Sequence, residues 1–450
     1  MSGHRDTIAA LATPRGRGAI AIVRISGDAA RGIAEALSAS KLEPRCAKLC
    51  RFEDRSGQTV DHGLALYFPA PHSFTGEDIV ELHGHGGPIV SDQLLAVVLE
   101  SGARLAEPGE FTLRAFLNDK LDLTQAEAIA DLIDSGSRAA SLAALRSLEG
   151  RFSAEVFALQ AALTELRVQL EARLDFADEE LELDDARQLA AGFEAWLRAI
   201  EALLNTARNG AILRDGLAIV IAGPPNAGKS SLLNRLAGYD AAIVTAIAGT
   251  TRDPLKEFLS LDGLPINLVD TAGLRDSDDP IEVEGIRRSR EAARRADRLL
   301  WVVEIGSDLS TALRHVRETF GEGLGVTVIE NKADLVDAKA AAFEVDGVPV
   351  IRISALTGEG VPLVGDHLKA LAGYAGEGHG ALSARTRHVD ALKRARESVE
   401  AAREQFLGAH ALEFAAEELR GAQLSLGEIT GEITSDDLLG EIFKDFCIGK

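Results

Sequence analysis

The residues with the clearest chemistry are Gly223 to Ser231, which read GPPNAGKSS. They follow a short apolar run, Leu217 to Ala222, and precede a run of helix formers, Leu232 to Ala237. Gly223, Gly228, Lys229 and Ser230 satisfy G-x-x-x-x-G-K-[ST] in the strand-to-helix setting that this motif requires. The chemistry is anion binding. Glycines let backbone N–H groups curl around a phosphate, and the N-terminus of the following helix adds positive potential. Asn226, Ala227, Gly228, Lys229, Ser230 and Ser231 are therefore candidate nucleotide contacts. Lys229 is expected to reach the β- and γ-phosphates and act in their transfer, and the Ser230 hydroxyl to ligate Mg²⁺. The alternative is a glycine turn that binds nothing, and the Lys-Ser pair that follows directly argues against it.

Further stretches decide which nucleotide. Val269-Asp-Thr-Ala-Gly273 ends an apolar strand with a carboxylate. That is the expected place for a metal-organising Asp270 and for Gly273 to sense the γ-phosphate, with Thr271 and Ala272 between them. Asn331-Lys332-Ala-Asp334 follows the apolar run Val326 to Ile329 and resembles the guanine-reading NKxD of GTPases. Asp334 would accept hydrogen bonds from guanine N1–H and the exocyclic amine, a donor pair that adenine lacks. Ser354-Ala355, after Val350 to Ile353, matches the last guanine-contacting loop. Between the first motif and the carboxylate lies Ile243 to Asp253, whose paired threonines after a glycine suit a switch loop; Thr251 would complete the Mg²⁺ shell. These motifs in this order, after these strands, point to GTP.

One position departs from the Ras-like pattern. Leu274 stands where a water-orienting Gln is usual, and Leu cannot hydrogen-bond a water. Two other groups are candidates for that part of the chemistry. Asn226 could ligate a monovalent cation, standing in for an arginine finger. Glu282 could orient the water, or be one solvated acid among Asp276, Asp278, Asp279 and Glu284.

The elements that position these groups come in three compositions. The chain has 450 residues, enough for two or three domains with their own cores. Up to about Asn118 it reads as mixed strands and helices: strands at Ala19 to Ile25, Leu64 to Phe68 and Asp78 to His83, helices at Ala29 to Ser38 and Ser91 to Leu99. His83 and His85 alternate with glycines without a third ligand at metal-site spacing, which favours turn or pocket-lining roles. From Leu121 to about Asn209 there is no proline, and Leu159, Leu163, Leu166 and Leu170 recur at helical spacing. Asp175 to Asp185 reads as an acidic interruption, with Asp184 or Asp185 capping the next helix. The nucleotide module, Leu213 to Gly373, alternates strand, loop and helix as a doubly wound sheet does. After a glycine-rich joint, Val389 to Leu407 and His410 to Leu424 are again helical. Helix-rich segments on both sides suggest one helical domain with the nucleotide module inserted; the alternative is two separate bundles.

Net charge is −22, so the chain as a whole is unsuited to coating nucleic acid non-specifically, though a local basic face or a partner could still bring RNA to it. Cys46, Cys50 and Cys447 are too few and scattered for a disulfide framework, which implies a reducing cytosol. No signal peptide and no membrane-spanning run is visible, so a cytoplasmic protein without membrane attachment is expected. The terminal Cys447-Ile-Gly-Lys450 does not fit a prenylation box, since Gly449 is not aliphatic and Lys450 is an unsuitable last residue.

Nearly the whole chain resembles one family, the bacterial and mitochondrial tRNA-uridine modification GTPases, MnmE or TrmE. The stretches that carry the resemblance are Thr13 to Gly18, Ser73 to Asp78, Glu81 to Pro88, Pro108 to Phe111, Arg114 to Asp122, Gln125 to Ile133, Ala248 to Asp253 and the tail Phe446 to Lys450. The resemblance implies three domains: an α+β folate-binding and dimerisation domain at 1–118; a helical domain made of 119–212 and 374–450; and an inserted Ras-like P-loop GTPase domain at 213–373. It implies a homodimer, a flavoprotein partner called MnmG, and tRNA as substrate. A reduced folate, 5-formyl- or 5,10-methylene-tetrahydrofolate, would supply a one-carbon unit to C5 of the wobble uridine, completed by glycine or ammonium. Arg24, Glu81, Lys120 and Lys450 match folate-contacting residues. Thr245, Ala246, Ile247, Ala248, Gly249, Thr250 and Thr251 fall on the nucleotide-lining loop. Asn226, Thr245, Ile247 and Thr250 match a potassium site, Glu282 a water-orienting acid, and Cys447 a tail cysteine assigned to catalysis. Two other readings keep the GTPase without the one-carbon chemistry: a potassium-activated GTPase of ribosome assembly, and an interaction switch in which hydrolysis times partner docking.

Overall fold

The computed structural model describes residues 6–175, 183–237, 257–262, 264–268, 296–321, 324–372, 374, 382–409, 411–433, 435–444, 446 and 448–449. It divides into two compact units, one made of the residues up to 130 with those from 423 onward, the other running from 131 to 422.

The first unit is built on β1 (Ile8–Leu11), β2 (Ile20–Ser26), β3 (Lys48–Glu53), β4 (Thr59–Phe68), β5 (Ile79–His85) and β6 (Arg104–Leu105). They form one sheet in the order β3-β4-β5-β2-β1-β6. Neighbours are antiparallel except β1 and β6. Alternation along β2 and β5 sorts the side chains by face. Val23, Ile25, Val80 and Leu82 enter a core with Ile33 and Leu37 of the helix Ala30–Ser38 and with Leu94 and Val98 of the helix Pro88–Glu100. The interleaved residues, Arg24, Glu81 and His83, are left for the other face. β5 runs two residues beyond the expected strand end, so Gly84 and His85 belong to the strand and not to a turn.

The end of the chain folds with this unit. Leu439, Ile442 and Phe443 of the helix Asp436–Lys444, with Phe446, share a core with Leu123 and Ala126. Ile448 then pairs with Pro108 as an antiparallel bridge. Gly449 has φ 98°, and a Cβ there would lie 2.3 Å from the Leu11 carbonyl oxygen.

The second unit joins a helix layer to a second sheet. The proline-free run forms the long helices Arg151–Asp175 and Leu183–Asp215. Leu159, Leu163, Leu166 and Leu170 are all buried, as their spacing predicts. The second helix is described from Leu183, so Asp184 and Asp185 lie within it. Residues 176–182 of the expected acidic interruption lie outside the described residues. The helix Thr386–Glu404 packs along Leu183–Asp215, and Arg396 and Arg403 pair with Glu201 and Glu194 at 3.0 and 2.7 Å. These two helices, one before and one after the nucleotide module, thus share one layer.

The second sheet comprises β7 (Leu217–Ala222), β8 (Glu257–Leu261), β9 (Leu264–Leu268), β10 (Arg298–Glu304), β11 (Val326–Asn331), β12 (Ala341–Val345) and β13 (Val348–Arg352). Its order is β12-β13-β11-β10-β7-β9-β8, with a parallel centre and antiparallel edges. Helices Lys229–Ala237 and Val361–Leu371 cover one face through Leu232, Leu236, Val364 and Leu368. Leu313 and Val316 of the helix Leu309–Phe320 cover the other. β7 lies between β9 on one side and β10 on the other, so the winding reverses there. In such sheets ligands bind at the carboxyl ends of the strands where the order reverses.

Candidate functional site

The loop between β7 and the helix Lys229–Ala237 stands at that reversal. Its backbone takes conformations that its residue types permit. Gly223 has φ 149°, and a Cβ there would come within 2.1 Å of the Val302 carbonyl oxygen. Gly228 has φ 94°, and a Cβ would meet Asn331 Nδ2 at 2.1 Å. Asn226, between them, is left-handed at φ 60°, which asparagine tolerates better than most residues. The Lys229 ammonium turns back over the loop and donates to the Gly223 and Pro224 carbonyls at 3.0 and 2.8 Å. This is a cradle with its cation directed to its mouth, and a polyphosphate fits it.

Asn331, at the end of β11, is buried and spans two loops. Its Nδ2 donates to the Ala227 carbonyl at 2.8 Å, and the Ala355 N–H donates to its Oδ1 at 2.9 Å. One amide therefore fixes the phosphate loop against the loop after β13. Ser354, also buried, donates to Asp334 Oδ1 at 2.6 Å, while the Thr357 N–H donates to Ser354 Oγ at 3.1 Å. The Asp334 carboxylate is thereby aimed from behind while its residue stays exposed. Lys332 is left-handed at φ 66°, and its ammonium pairs with Glu304 at 2.6 Å. Arg235 Nε donates to the Ala355 carbonyl at 3.1 Å, which ties the phosphate-loop helix to the same corner. The cradle and the Asp334 carboxylate are held by one hydrogen-bonded network.

In the first unit, the second face of the sheet carries polar groups. Arg24 on β2 and Glu81 on β5 are directly opposite each other. Arg24 Nε and Nη2 both donate to Glu81 Oε1, at 3.0 and 2.8 Å, and the other Glu81 oxygen lies 3.3 Å from His83 Nε2. Phe74 and Phe111 flank the guanidinium, each ring centre 5.8 Å away. Alongside, Ser26 Oγ donates to Glu77 at 2.7 Å. Buried Arg114 binds Asp6, Glu77 and Glu110. Burial alone would raise the Glu110 carboxyl, but Arg104, the Glu107 N–H and Arg114 outweigh it and hold it below the ordinary value. Asp6 is also lowered, chiefly by Arg104. Lys120 is exposed and donates to the Pro71 carbonyl at 3.0 Å. The half-buried Arg24–Glu81 pair offers both donors and acceptors, as a flat heterocycle with amino and carbonyl groups requires.

Two family models match the chain. One described as "GTP-binding protein TrmE N-terminus" covers residues 7–120, and one described as "MnmE helical domain" covers 123–447. The tRNA modification GTPase MnmE of Nitrosococcus oceani is 52% identical over 446 residues, covering 99% of this chain and 97% of that protein. The chain belongs to the MnmE family. The tRNA modification GTPase MnmE of Alkalilimnicola ehrlichii is equally similar, 52% identical over 99% of this chain and 100% of its own length.

Set against the MnmE resemblance, the structure brings together Asn226, Ala227, Gly228, Lys229 and Ser230 in the cradle, and Asn331, Lys332, Asp334, Ser354 and Ala355 beside it. Ser231 follows in the first turn of the helix. Arg24 and Glu81 meet, whereas the Lys120 ammonium is bound to a backbone carbonyl. Thr245, Ala246, Ile247, Ala248, Gly249, Thr250, Thr251, Asp270, Thr271, Ala272, Gly273, Glu282, Cys447 and Lys450 lie outside the described residues. Among the described residues no group of three His, Cys, Asp or Glu side chains could hold a metal ion, and no helix is long and apolar enough to cross a membrane. Sequence reasoning missed the bridging of loops by Asn331, and the Arg114, Glu77 and Ser26 network. Nothing in local spacing signals either, because their partners are remote in the chain.

Proposed function

We propose that this chain hydrolyses GTP in the modification of tRNA, acting with the flavoprotein MnmG at C5 of the wobble uridine. The carrying observation is the Asn331 bridge. It joins the phosphate cradle to the Ser354–Asp334 pair, so one site can read both a polyphosphate and guanine. Asp334 accepts from the guanine N1–H and amine, and Lys229 leaves its loop carbonyls for the β- and γ-phosphate oxygens.

Two ions fit the donors available. The Ser230 hydroxyl at the helix start is a hard oxygen suited to Mg²⁺, with Thr251 as its companion and Asp270 behind it. Asn226, turned by its left-handed backbone, would hold K⁺ with Thr245, Ile247 and Thr250. When bound, K⁺ supplies positive charge to the phosphoryl oxygens, and Glu282 orients the attacking water in place of the missing Gln. In the first unit, Arg24 and Glu81 bind and orient the ring of a reduced folate, 5-formyl- or 5,10-methylene-tetrahydrofolate. Lys120 and Lys450 meet its anionic or carbonyl groups. The protein works as a homodimer in the cytoplasm, and Cys447 is the tail cysteine that the resemblance assigns to catalysis.

The test is steady-state GTP hydrolysis in potassium and in sodium, with Asn226→Ala alongside. Strong stimulation by potassium that the variant loses supports the assignment. Equal rates in both salts for the parent protein would sink it.

A further inference from the structure

Two described connections join the nucleotide-binding sheet to the helix layer. The chain enters it from the helix Leu183–Asp215 through Gly216, which turns at φ 79° into β7. It comes back along residues 382–385 into the helix Thr386–Glu404. These two connections touch. A Cβ on Gly210 would lie 1.7 Å from the Leu382 carbonyl oxygen, so the returning chain lies directly on the departing helix. Two crossings side by side act as one axis. Backbone links leave rotation about such an axis soft, and side-chain bonds must restrain it.

One carboxylate does this for both connections. Asp131, its side chain 6% exposed, accepts from Arg214 Nε at 2.8 Å on the departing helix. On the returning chain it accepts from Arg385 Nη2 at 3.0 Å and from Ser383 Oγ at 2.6 Å. Its partners are 83, 252 and 254 residues away in sequence. Ser147 supports the same crossing, donating to the Ser383 carbonyl at 3.1 Å, and the Ser383 N–H donates to the Ala143 carbonyl at 3.2 Å. Beside the knot is a cavity of about 90 Å³, lined among others by Asp131, Asp134, Arg214, Asp215 and Ser383.

We infer that Asp131 is a positioning residue, which sets the angle at which the nucleotide-binding sheet leaves the helix layer and so couples GTP turnover to the tRNA reaction. The coupling part rests on the function proposed above. The clamp itself does not. Its described partners Arg214, Ser383 and Arg385 all lie outside the cradle, so its loss should spare the binding and cleavage of GTP and uncouple them from product.

The experiment uses the full-length protein with its flavoprotein partner and compares Asp131→Asn, Asp131→Glu and the milder Ser383→Ala. Three quantities are read: KM and kcat for GTP, modified tRNA formed per GTP hydrolysed, and amide exchange of residues 382–385. For Asp131→Asn, KM for GTP should stay within about twofold, since nucleotide-contacting groups are intact, while product per GTP falls roughly tenfold and exchange at 382–385 quickens by a similar factor. Asp131→Glu, which keeps the charge, should recover part of both, and Ser383→Ala should lie between. Unchanged product per GTP in Asp131→Asn overturns the inference. So does a joint rise in KM and loss of product with exchange at 382–385 unaltered. A parent protein that makes no modified tRNA would overturn the proposed function instead, and the exchange arm would still judge the clamp.

Discussion

In the proposed function, Asp334 selects a base by counting donors. A carboxylate offers two acceptors and no donor, so it fits the adjacent N1–H and amine of guanine, a donor pair that the adenine edge lacks. The Ser354 hydroxyl, held by the Thr357 N–H, keeps it in that orientation. Asp334→Asn replaces one acceptor by a donor, and xanthine, with a carbonyl where guanine has its amine, becomes the complement. Losing a charge-assisted hydrogen bond costs about 1.5–3 kcal/mol, so GTP affinity should fall roughly ten- to a hundredfold while XTP gains on it. Calorimetric titration with both nucleotides decides the matter. A variant that still prefers GTP would show that Asp334 does not read the base. Asn331 stands beside it with a different duty, because it holds two backbone groups of neighbouring loops and is buried.

Among the elements, the C-terminal segment is held closely by shape. Gly449 at φ 98° places its backbone against the Leu11 carbonyl, and Gly109 at φ 67° leaves 2.9 Å between a would-be Cβ and the Phe443 carbonyl oxygen. Gly449→Ala should therefore unseat the last residues without touching the nucleotide cradle. Tail cleavage by carboxypeptidase should quicken roughly tenfold and tRNA modification should fall, with GTP hydrolysis unchanged. A tail as resistant as in the parent would mean that the backbone absorbs the added methyl elsewhere. What could be seen of such elements beforehand depended on how locally they are encoded. Leu217 to Ala222 and the leucines of Arg151–Asp175 are legible because apolar runs and helical spacing sit within one stretch of chain. β3, Lys48–Glu53, was not anticipated: it is an edge strand with exposed Leu49 and Arg51 among its core residues Cys50 and Phe52, so its pattern is blurred. The cradle is legible from its glycines and lysine. The Asn331 bridge and the Asp131 clamp are not, since each joins residues whose separation in sequence carries no pattern.

At the scale of the molecule, charge governs how the protein meets its nucleic-acid substrate. With a net charge of −22, the average field repels a polyanion, and attraction must come from a few local cations. Several basic side chains are already engaged by acids: Arg24 with Glu81, Arg114 with Asp6, Glu77 and Glu110, and Arg214 and Arg385 with Asp131. Each phosphate contact releases counterions and steepens the fall of affinity with salt, by about 0.9 in log–log slope per contact on a duplex and about 0.7 on a single strand. A chain that holds tRNA mainly through its partner should therefore bind it weakly alone, with a shallow slope, on the order of one or two such contacts. Adding the flavoprotein should both tighten and steepen the binding. The measurement is fluorescence anisotropy of labelled tRNA across a potassium chloride series, with and without the partner. Tight binding by this chain alone with a steep slope would mean that a concentrated cationic surface overrides the molecule's net charge. The tRNA would then belong on this protein, and the partner's part would be confined to chemistry.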